Sequence, residues 1–139
     1  MIEVLDQHYE RLRLRVAAMR ELCRAPAPDM ARLSRARHQL MAASMDRSRF
    51  LKQTAYPALL STGIVGIAAA LDTLDQDLSK LRAAASLHVS SWPPDRIGAD
   101  WRGYCAASAA LMRRIEDRGR RERTVLMPAL AALTHQIDA

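Results

Sequence analysis

Apolar residues recur every three or four positions along most of this chain, which is the spacing of one face of an α-helix. The first run spans about Ile2 to Arg24. Its stripe consists of Leu5, His8, Leu12, Val16, Met19 and Cys23. The prolines of "APAPD" end this run because proline lacks an amide hydrogen, and Asp29 is a suitable N-cap for the next helix.

Three further stripes with the same spacing predict three more helices. The second stripe comprises Leu33, Ala36 or Arg37, Leu40, Ser44, Arg47, Leu51 and Ala55. The third comprises Ile67, Leu71, Leu74, Leu78, Leu81, Ala85 and His88. The fourth comprises Trp101, Tyr104, Ser108, Leu111, Ile115, Arg118, Glu122 and Val125.

Prolines and glycines mark the ends of these helices. Pro57 is predicted to kink or end the second helix, and "STG" at 61–63 closes it. "SSWPPD" separates the third helix from the fourth, which we expect to end at Pro128 before a short final turn. Four helices joined by short connections favour an all-α, up-down-up-down four-helix bundle, with residues 1–139 forming one domain.

Composition narrows the class of partner. The net charge of +6 comes almost entirely from arginine, and a basic surface of this kind suits a nucleic acid or an acidic protein. Aromatic residues make up only 4% of the chain, and the sequence contains no nucleic-acid recognition motif. Both observations disfavour nucleic-acid binding and leave a protein partner of unknown identity.

Membrane insertion and export are also disfavoured. No stretch reaches the ~18–20 uninterrupted apolar residues of a membrane span, and the charged N-terminus lacks the pattern of a signal peptide. We therefore expect a cytoplasmic protein. Cys23 and Cys105 form no CxxC motif, so free thiols are the simplest expectation, with a link between neighbouring helices left open.

Two segments of the chain read alike: "RSRFLKQTAYPALL" at 47–60 and "RGRRERTVLMPALA" at 118–131. Their prolines superpose at an offset of 128 − 57 = 71, which aligns Arg47 with Arg118. Antiparallel connection of the helices would bring several polar or ionisable stripe residues to one end of the bundle. These are His8, Arg47, Arg118 and Glu122, together with Asp72 and Asp75 near the start of the third helix.

This pattern resembles the hemerythrin family, also called the HHE cation-binding domain. The resemblance covers nearly the whole chain and rests on "DQHYERL" in the first helix and on the endings "AYPALL" and "LMPAL". The segment "WPPDRIGADW" is similar to a bacterial, sphingomonad-type subgroup of that family. The resemblance implies a bundle in which two helices each supply His-x-x-x-Glu to a pair of iron ions, ten and six residues before the proline.

Most of the ligand positions implied by this resemblance are substituted. Arg47 and Leu51 stand at the histidine and glutamate positions of the second helix, and Arg118 and Glu122 stand at those of the fourth. His8 matches the ligand of the first helix, so His8 and Glu122 are the candidate residual metal ligands. Arginine stays protonated and offers no lone pair, which makes the metal site degenerate.

Two arrangements of the arginines remain open. They can lie inside the bundle as ion pairs with Glu122 and with Asp72 or Asp75 as additional acceptors, or they can extend their charged ends into water. The first arrangement predicts a non-enzymatic regulatory or partner-binding protein without a cofactor.

Two other functions are alternatives. One is an iron-binding sensor of oxygen, nitric oxide or iron level, using His8, Glu122 and carboxylates such as Glu10 or Asp75. The second is a histidine phosphotransfer module using His38 in "RHQLMAAS". The exposed faces are compatible with either a monomer or a homodimer.

Overall fold

The computed structural model describes residues 1–138 and the side chains of residues 1–135, and Ala139, the last residue of the predicted domain, lies outside the described residues. Within the described range the chain is all-helical and contains no strand, which confirms the all-α class. The elements are α1 (Ile2–Leu22), α2 (Met30–Phe50), a π-helical turn (Leu51–Ala55), α3 (Tyr56–Leu60), α4 (Ile67–Ser91), α5 (Pro94–Ala99) and α6 (Trp101–Asp138).

Helix α1 packs through a stripe that differs from the predicted one at two positions, His8 and Cys23; Cys23 lies one residue beyond the helix and is only partly buried. Its buried residues are Leu5, Tyr9, Leu12, Val16 and Met19. Tyr9 therefore occupies the buried place that was predicted for His8; both positions fit a spacing of three and four residues between Leu5 and Leu12, and the structure buries Tyr9. The predicted N-cap of α2 is confirmed: the Asp29 side chain accepts a hydrogen bond of 3.1 Å from the Arg32 amide.

The second helical segment does not end at Pro57. It passes through the π-helical turn, where the Tyr56 amide donates to the Leu51 carbonyl, and continues as α3 to Leu60. A widened turn accommodates a proline because it moves the preceding carbonyls away from the ring. The predicted "STG" ending is confirmed, since the Thr62 hydroxyl donates to the Leu59 carbonyl at 2.6 Å and Gly63 adopts a positive φ of 67°.

Helix α6 also continues through its proline, so the predicted end at Pro128 and the separate final turn are wrong. An interior proline costs roughly 3 kcal/mol relative to alanine. Leu126 and Leu130 flank Pro128 and are both fully buried, and each such side chain contributes about 1.5–3 kcal/mol. Burial on both sides of the proline is therefore sufficient to keep the helix continuous through it.

Contacts between the helices show which of them are neighbours. Helix α1 lies between α2 and α6, and α4 packs on α6 and α3. Arg11 contacts Asp46, whereas Arg15, further along α1, contacts the earlier residue Gln39, so α1 and α2 run in opposite directions. One apolar cluster surrounds Tyr104 near the start of α6, and a second surrounds Leu51 and Leu126. No helix formed by residues 1–138 combines the length and the apolar character that crossing a bilayer requires.

Candidate functional site

A carboxylate with no exposed surface lies between the two apolar clusters. Glu122 projects inward from α6 and is 0% exposed. The Tyr9 hydroxyl, from α1, donates a hydrogen bond of 2.8 Å to Glu122 Oε1. On the other oxygen, Arg118 Nη2 lies 2.9 Å from Oε2. Because Arg118 precedes Glu122 by one helical turn, the two side chains share one face of α6.

Arg118 connects this carboxylate to a third helix. Its Nη1 donates a hydrogen bond of 2.8 Å to the main-chain carbonyl of Leu74 in α4. The side chain is only 1% exposed, so its charge lies inside the protein rather than extending into water. The side chains of Asp72 and Asp75 were predicted as the acceptors from α4. The acceptor is instead a backbone carbonyl, that of Leu74.

Arg47 is the second buried guanidinium of the site. It is 2% exposed, and its Nε lies 3.7 Å from Glu122 Oε1, which is an ion contact but too long for a hydrogen bond. Among the described residues, Arg47 Nε and Nη1 have no hydrogen-bond partner. We call Tyr9, Arg47, Arg118 and Glu122 the ionic cluster. It contains two positive groups and one negative group.

The phenols around the cluster stay protonated at neutral pH. Burial, and secondarily the charge of Glu122, raise the pKa of Tyr9 well above its usual value. The same two causes raise the pKa of Tyr56 to about 12. Tyr9 therefore acts as a neutral hydrogen-bond donor to Glu122, and the negative charge of the cluster belongs to the carboxylate.

The other predicted site residues lie around the cluster without joining it. His8 is partly exposed and its ring is 5.3 Å from that of Phe50; burial lowers its pKa, although Asp46 opposes the shift. Leu51 is buried in the second apolar cluster, which also contains Leu126. Asp72 is exposed and accepts a hydrogen bond from Gln76.

Two further acidic candidates, Asp75 and Glu10, also lie outside the ionic cluster. Asp75 is partly buried and close enough to Tyr56 to contribute to the raised pKa of that phenol. Glu10 is exposed and pairs with Arg13 on its own helix. Neither carboxylate forms an ion pair with the arginines of the ionic cluster.

The donor set does not fit a di-iron centre. Within the described part of the chain, no three His, Cys, Asp or Glu side chains converge in a way that could hold a metal ion. The two guanidinium groups stand where the resemblance implies histidines, and they repel cations while offering no lone pair. Glu122, the one candidate ligand that is buried, is already engaged by Tyr9 and Arg118.

An open groove of about 730 Å³ adjoins the ionic cluster. We call it the α2–α4 groove, because these two helices form its walls and α6 forms its floor. Its lining includes the apolar side chains of Met41, Met45, Leu78, Leu111, Met112 and Ile115. It also includes Arg37, Arg47 and Arg82 with His38 and His88, whereas none of the lining residues in the described part of the chain is acidic.

The remaining candidates lie toward the other end of the helices. His38 is exposed at the rim of the groove. Cys23 and Cys105 are both free, and the Cys105 thiol lies 3.7 Å from the main-chain oxygen of Cys23. Burial and the neighbouring Cys23 raise the pKa of Cys105 to about 12. The two cysteines are thus neighbours across α1 and α6, as the sequence analysis allowed.

Two members of the site were not found from the sequence. Tyr9 could have been found, since it has the spacing of the buried stripe and its hydroxyl requires a partner. The Leu74 carbonyl carries no sequence signal, because every residue has such a group. No protein-family model, curated protein or solved structure matches this chain, so the likeness to hemerythrins rests on its residue pattern alone.

Proposed function

We propose that this chain is a metal-independent four-helix bundle of the hemerythrin-like type with a non-enzymatic role in regulation or partner binding. The observation that supports it is the burial of Arg47 and Arg118 beside Glu122. Guanidinium groups then fill the interior volume that cations fill in a metal-binding bundle. The charge of the site is supplied by the chain itself.

The arrangement of the long helices supports the bundle. In the proposal, the four members are α1, the continuous segment from α2 to α3, α4 and α6. Tyr9 pairs with Glu122, whereas Arg20, later in α1, pairs with the earlier residue Glu116 of α6, so α1 and α6 run in opposite directions. Such alternation along the chain is the pattern of an up-down-up-down bundle.

The protonation states in the cluster favour a role without catalysis. A general acid or base works best when its pKa lies near the working pH. Tyr9 and Tyr56 keep their protons at neutral pH because their pKa values are raised, and the two arginines are always protonated. We place this role in the cytoplasm, where thiols such as Cys23 and Cys105 stay reduced.

Metal content tests the proposal directly. The chain is expressed in iron-supplemented cells beside a hemerythrin that has an intact ligand set, and both are analysed for metal and for ultraviolet-visible absorption. We expect iron far below one ion per chain here and a full complement in the control. The melting temperature should also be unchanged by EDTA. Stoichiometric iron with oxo-to-iron absorption would instead establish the iron-sensor alternative with His8 and Glu122 as ligands.

A further inference from the structure

Arg47 belongs to two features of the molecule at once. It is a member of the ionic cluster, and it also lines the α2–α4 groove. Although 98% of its surface is covered, two of its donor nitrogens lack a hydrogen-bond partner among the described residues. A buried donor without an acceptor is rare and destabilising in folded proteins, which points to an acceptor supplied from outside the chain.

The charges of the ionic cluster also favour an acceptor for Arg47 that comes from outside the chain. Arg118 and Glu122 form a close pair, with Nη2 and Oε2 2.9 Å apart. Arg47 is then a buried positive charge whose nearest approach to that carboxylate is the 3.7 Å between its Nε and Glu122 Oε1. An unpaired buried charge is strongly destabilising, so an anion that reaches Arg47 would be strongly favoured. Guanidinium and carboxylate groups make strong, charge-assisted hydrogen bonds.

The groove that leads to Arg47 has the character of a small-molecule site. Its volume of about 730 Å³ falls within the usual range for ligand pockets. Met41 and Met45 on one wall and Leu78 on the other give it a flexible apolar lining, above a floor that includes Met112. The additional positive charge of Arg37 and Arg82 at the groove, without an acidic residue in the lining among the described residues, favours an anionic occupant.

We propose that the α2–α4 groove binds a single-chain carboxylate amphiphile, a fatty acid, with its carboxylate at Arg47 and its hydrocarbon chain against the methionine and leucine walls. The inference rests on the proposed function, since a metal-filled interior would displace Arg47. A peptide fits less well, because it would bring many backbone polar groups, of which the lining serines such as Ser44 and Ser108 can pair with only some, whereas a fatty acid brings a single polar group, its carboxylate. A flexible alkyl chain carries one charged group and can deliver it to a guanidinium that is almost fully covered.

Isothermal titration with decanoate, decanol and acetate tests the chemistry of the ligand. Decanoate is used below its micelle concentration on EDTA-treated protein of verified metal content. We expect one decanoate per chain, with decanol and acetate each weaker by about tenfold or more, since each lacks one of the two interactions. Multiple non-saturating sites, or equal affinity for decanol and decanoate, would overturn the proposal.

Variants test the location. Arg47→Met should weaken decanoate binding by about tenfold or more, whereas Arg49→Met, an exposed neighbour on the same helix, should leave it unchanged. Met45→Glu tests the wall without threatening the fold, because Met45 is 53% exposed, and it should also weaken decanoate binding. Leu14→Glu, equally exposed on α1 and away from the groove, is its control.

Three results would assign the groove differently and overturn the inference. They are unchanged decanoate affinity in both Arg47→Met and Met45→Glu, tighter binding of an acidic amphipathic helical peptide than of decanoate, and a protein dimer that Met45→Glu dissociates. If the protein is free of metal and decanoate does not bind, the fatty-acid inference fails while the proposed function stands. If iron is present in stoichiometric amounts, the proposed function fails first.

Discussion

Tyr9 and Glu122, 113 residues apart in the sequence, are joined by a buried hydrogen bond of 2.8 Å between the phenol and the carboxylate. This bond ties the first helix to the last inside the protein. Replacing Tyr9 by Phe removes only the hydroxyl and leaves Glu122 short of one donor. Because the acceptor is charged and fully buried, we expect the free energy of unfolding in urea to fall by about 1–3 kcal/mol.

Tyr104→Phe is the matched control for this change. The Tyr104 hydroxyl is also buried, but it has no hydrogen-bond partner among the described residues. Removing it should therefore not lower the free energy of unfolding and should raise it if anything, because a buried hydroxyl without a partner is itself unfavourable. Equal losses in Tyr9→Phe and Tyr104→Phe would mean that the Tyr9 bond contributes nothing specific.

Glu122 is the group whose loss should matter most. Glu122→Ala leaves the guanidiniums of Arg47 and Arg118 buried without any counter-charge, so we expect a loss of about 3–5 kcal/mol in urea unfolding. Glu122→Gln keeps an acceptor for Tyr9 and Arg118 and should cost less. A loss below about half a kcal/mol in Glu122→Ala would be incompatible with a buried ion pair.

The two arginines should respond differently despite their equal burial. Arg118→Met removes the close partner of Glu122 and its bond to the Leu74 carbonyl, and should lower the unfolding free energy by about 3–5 kcal/mol. Arg47→Met removes the surplus positive charge and leaves the Arg118–Glu122 pair intact. We expect it to cost less than about 1 kcal/mol or to stabilise the protein.

Urea denaturation of both methionine variants at one pH and salt concentration measures this asymmetry. The two substitutions are chemically identical, so each serves as the control for the other. A larger loss in Arg47→Met than in Arg118→Met would show that Arg47, and not Arg118, is the main partner of Glu122.

The sequence predicted the helical class and the ends of most helices, because apolar spacing and capping residues act locally. It failed at Pro128, where packing of distant residues keeps the helix going through a proline. At Pro57, where a kink or an end was predicted, the helix passes through a π-helical turn and ends at the predicted STG segment. Leu126 and Leu130 illustrate the reason: their burial depends on α1 and α4, which no local pattern around Pro128 reports.

The site was predictable only in part. The inward positions of Arg47, Arg118 and Glu122 followed from the repeat and the stripe. The choice of His8 over Tyr9 was wrong for the buried stripe, because both positions lie three or four residues from Leu5 and from Leu12 and the spacing alone does not separate them. The contact with the Leu74 carbonyl and the groove could not be predicted from the sequence, since the first depends on how α4 packs on α6 and the second on how far apart α2 and α4 lie.

The two cysteines provide a chemical test of the packing between α1 and α6. A thiol must lose its proton to react, and the pKa of Cys105 is raised to about 12 by burial and by Cys23. We expect Cys105, measured in Cys23→Ser so that only burial still raises its pKa, to react with a disulfide reagent at pH 8 more slowly than it does in urea-unfolded protein. Equal rates in the folded and unfolded states would contradict the buried contact.

His88 should make stability depend on pH in the weakly acidic range. Its ring stacks on Tyr104 with centroids 5.4 Å apart, and burial, with a smaller contribution from Arg37, lowers its pKa from 6.5. The unfolded chain therefore binds a proton at a higher pH than the native protein does. The stability from the neutral ring is complete above the unfolded pKa and is lost as the pH falls through 6.5 toward the native pKa.

Urea unfolding between pH 7.5 and 5 checks this dependence. The slope that one such histidine can contribute is at most about 1.4 kcal/mol per pH unit. His88→Gln should reduce the slope, and His8, whose pKa is also lowered, should account for part of what remains. A slope that is the same in His88→Gln and the wild type would mean that the His88 ring is as well solvated in the folded protein as in the unfolded chain.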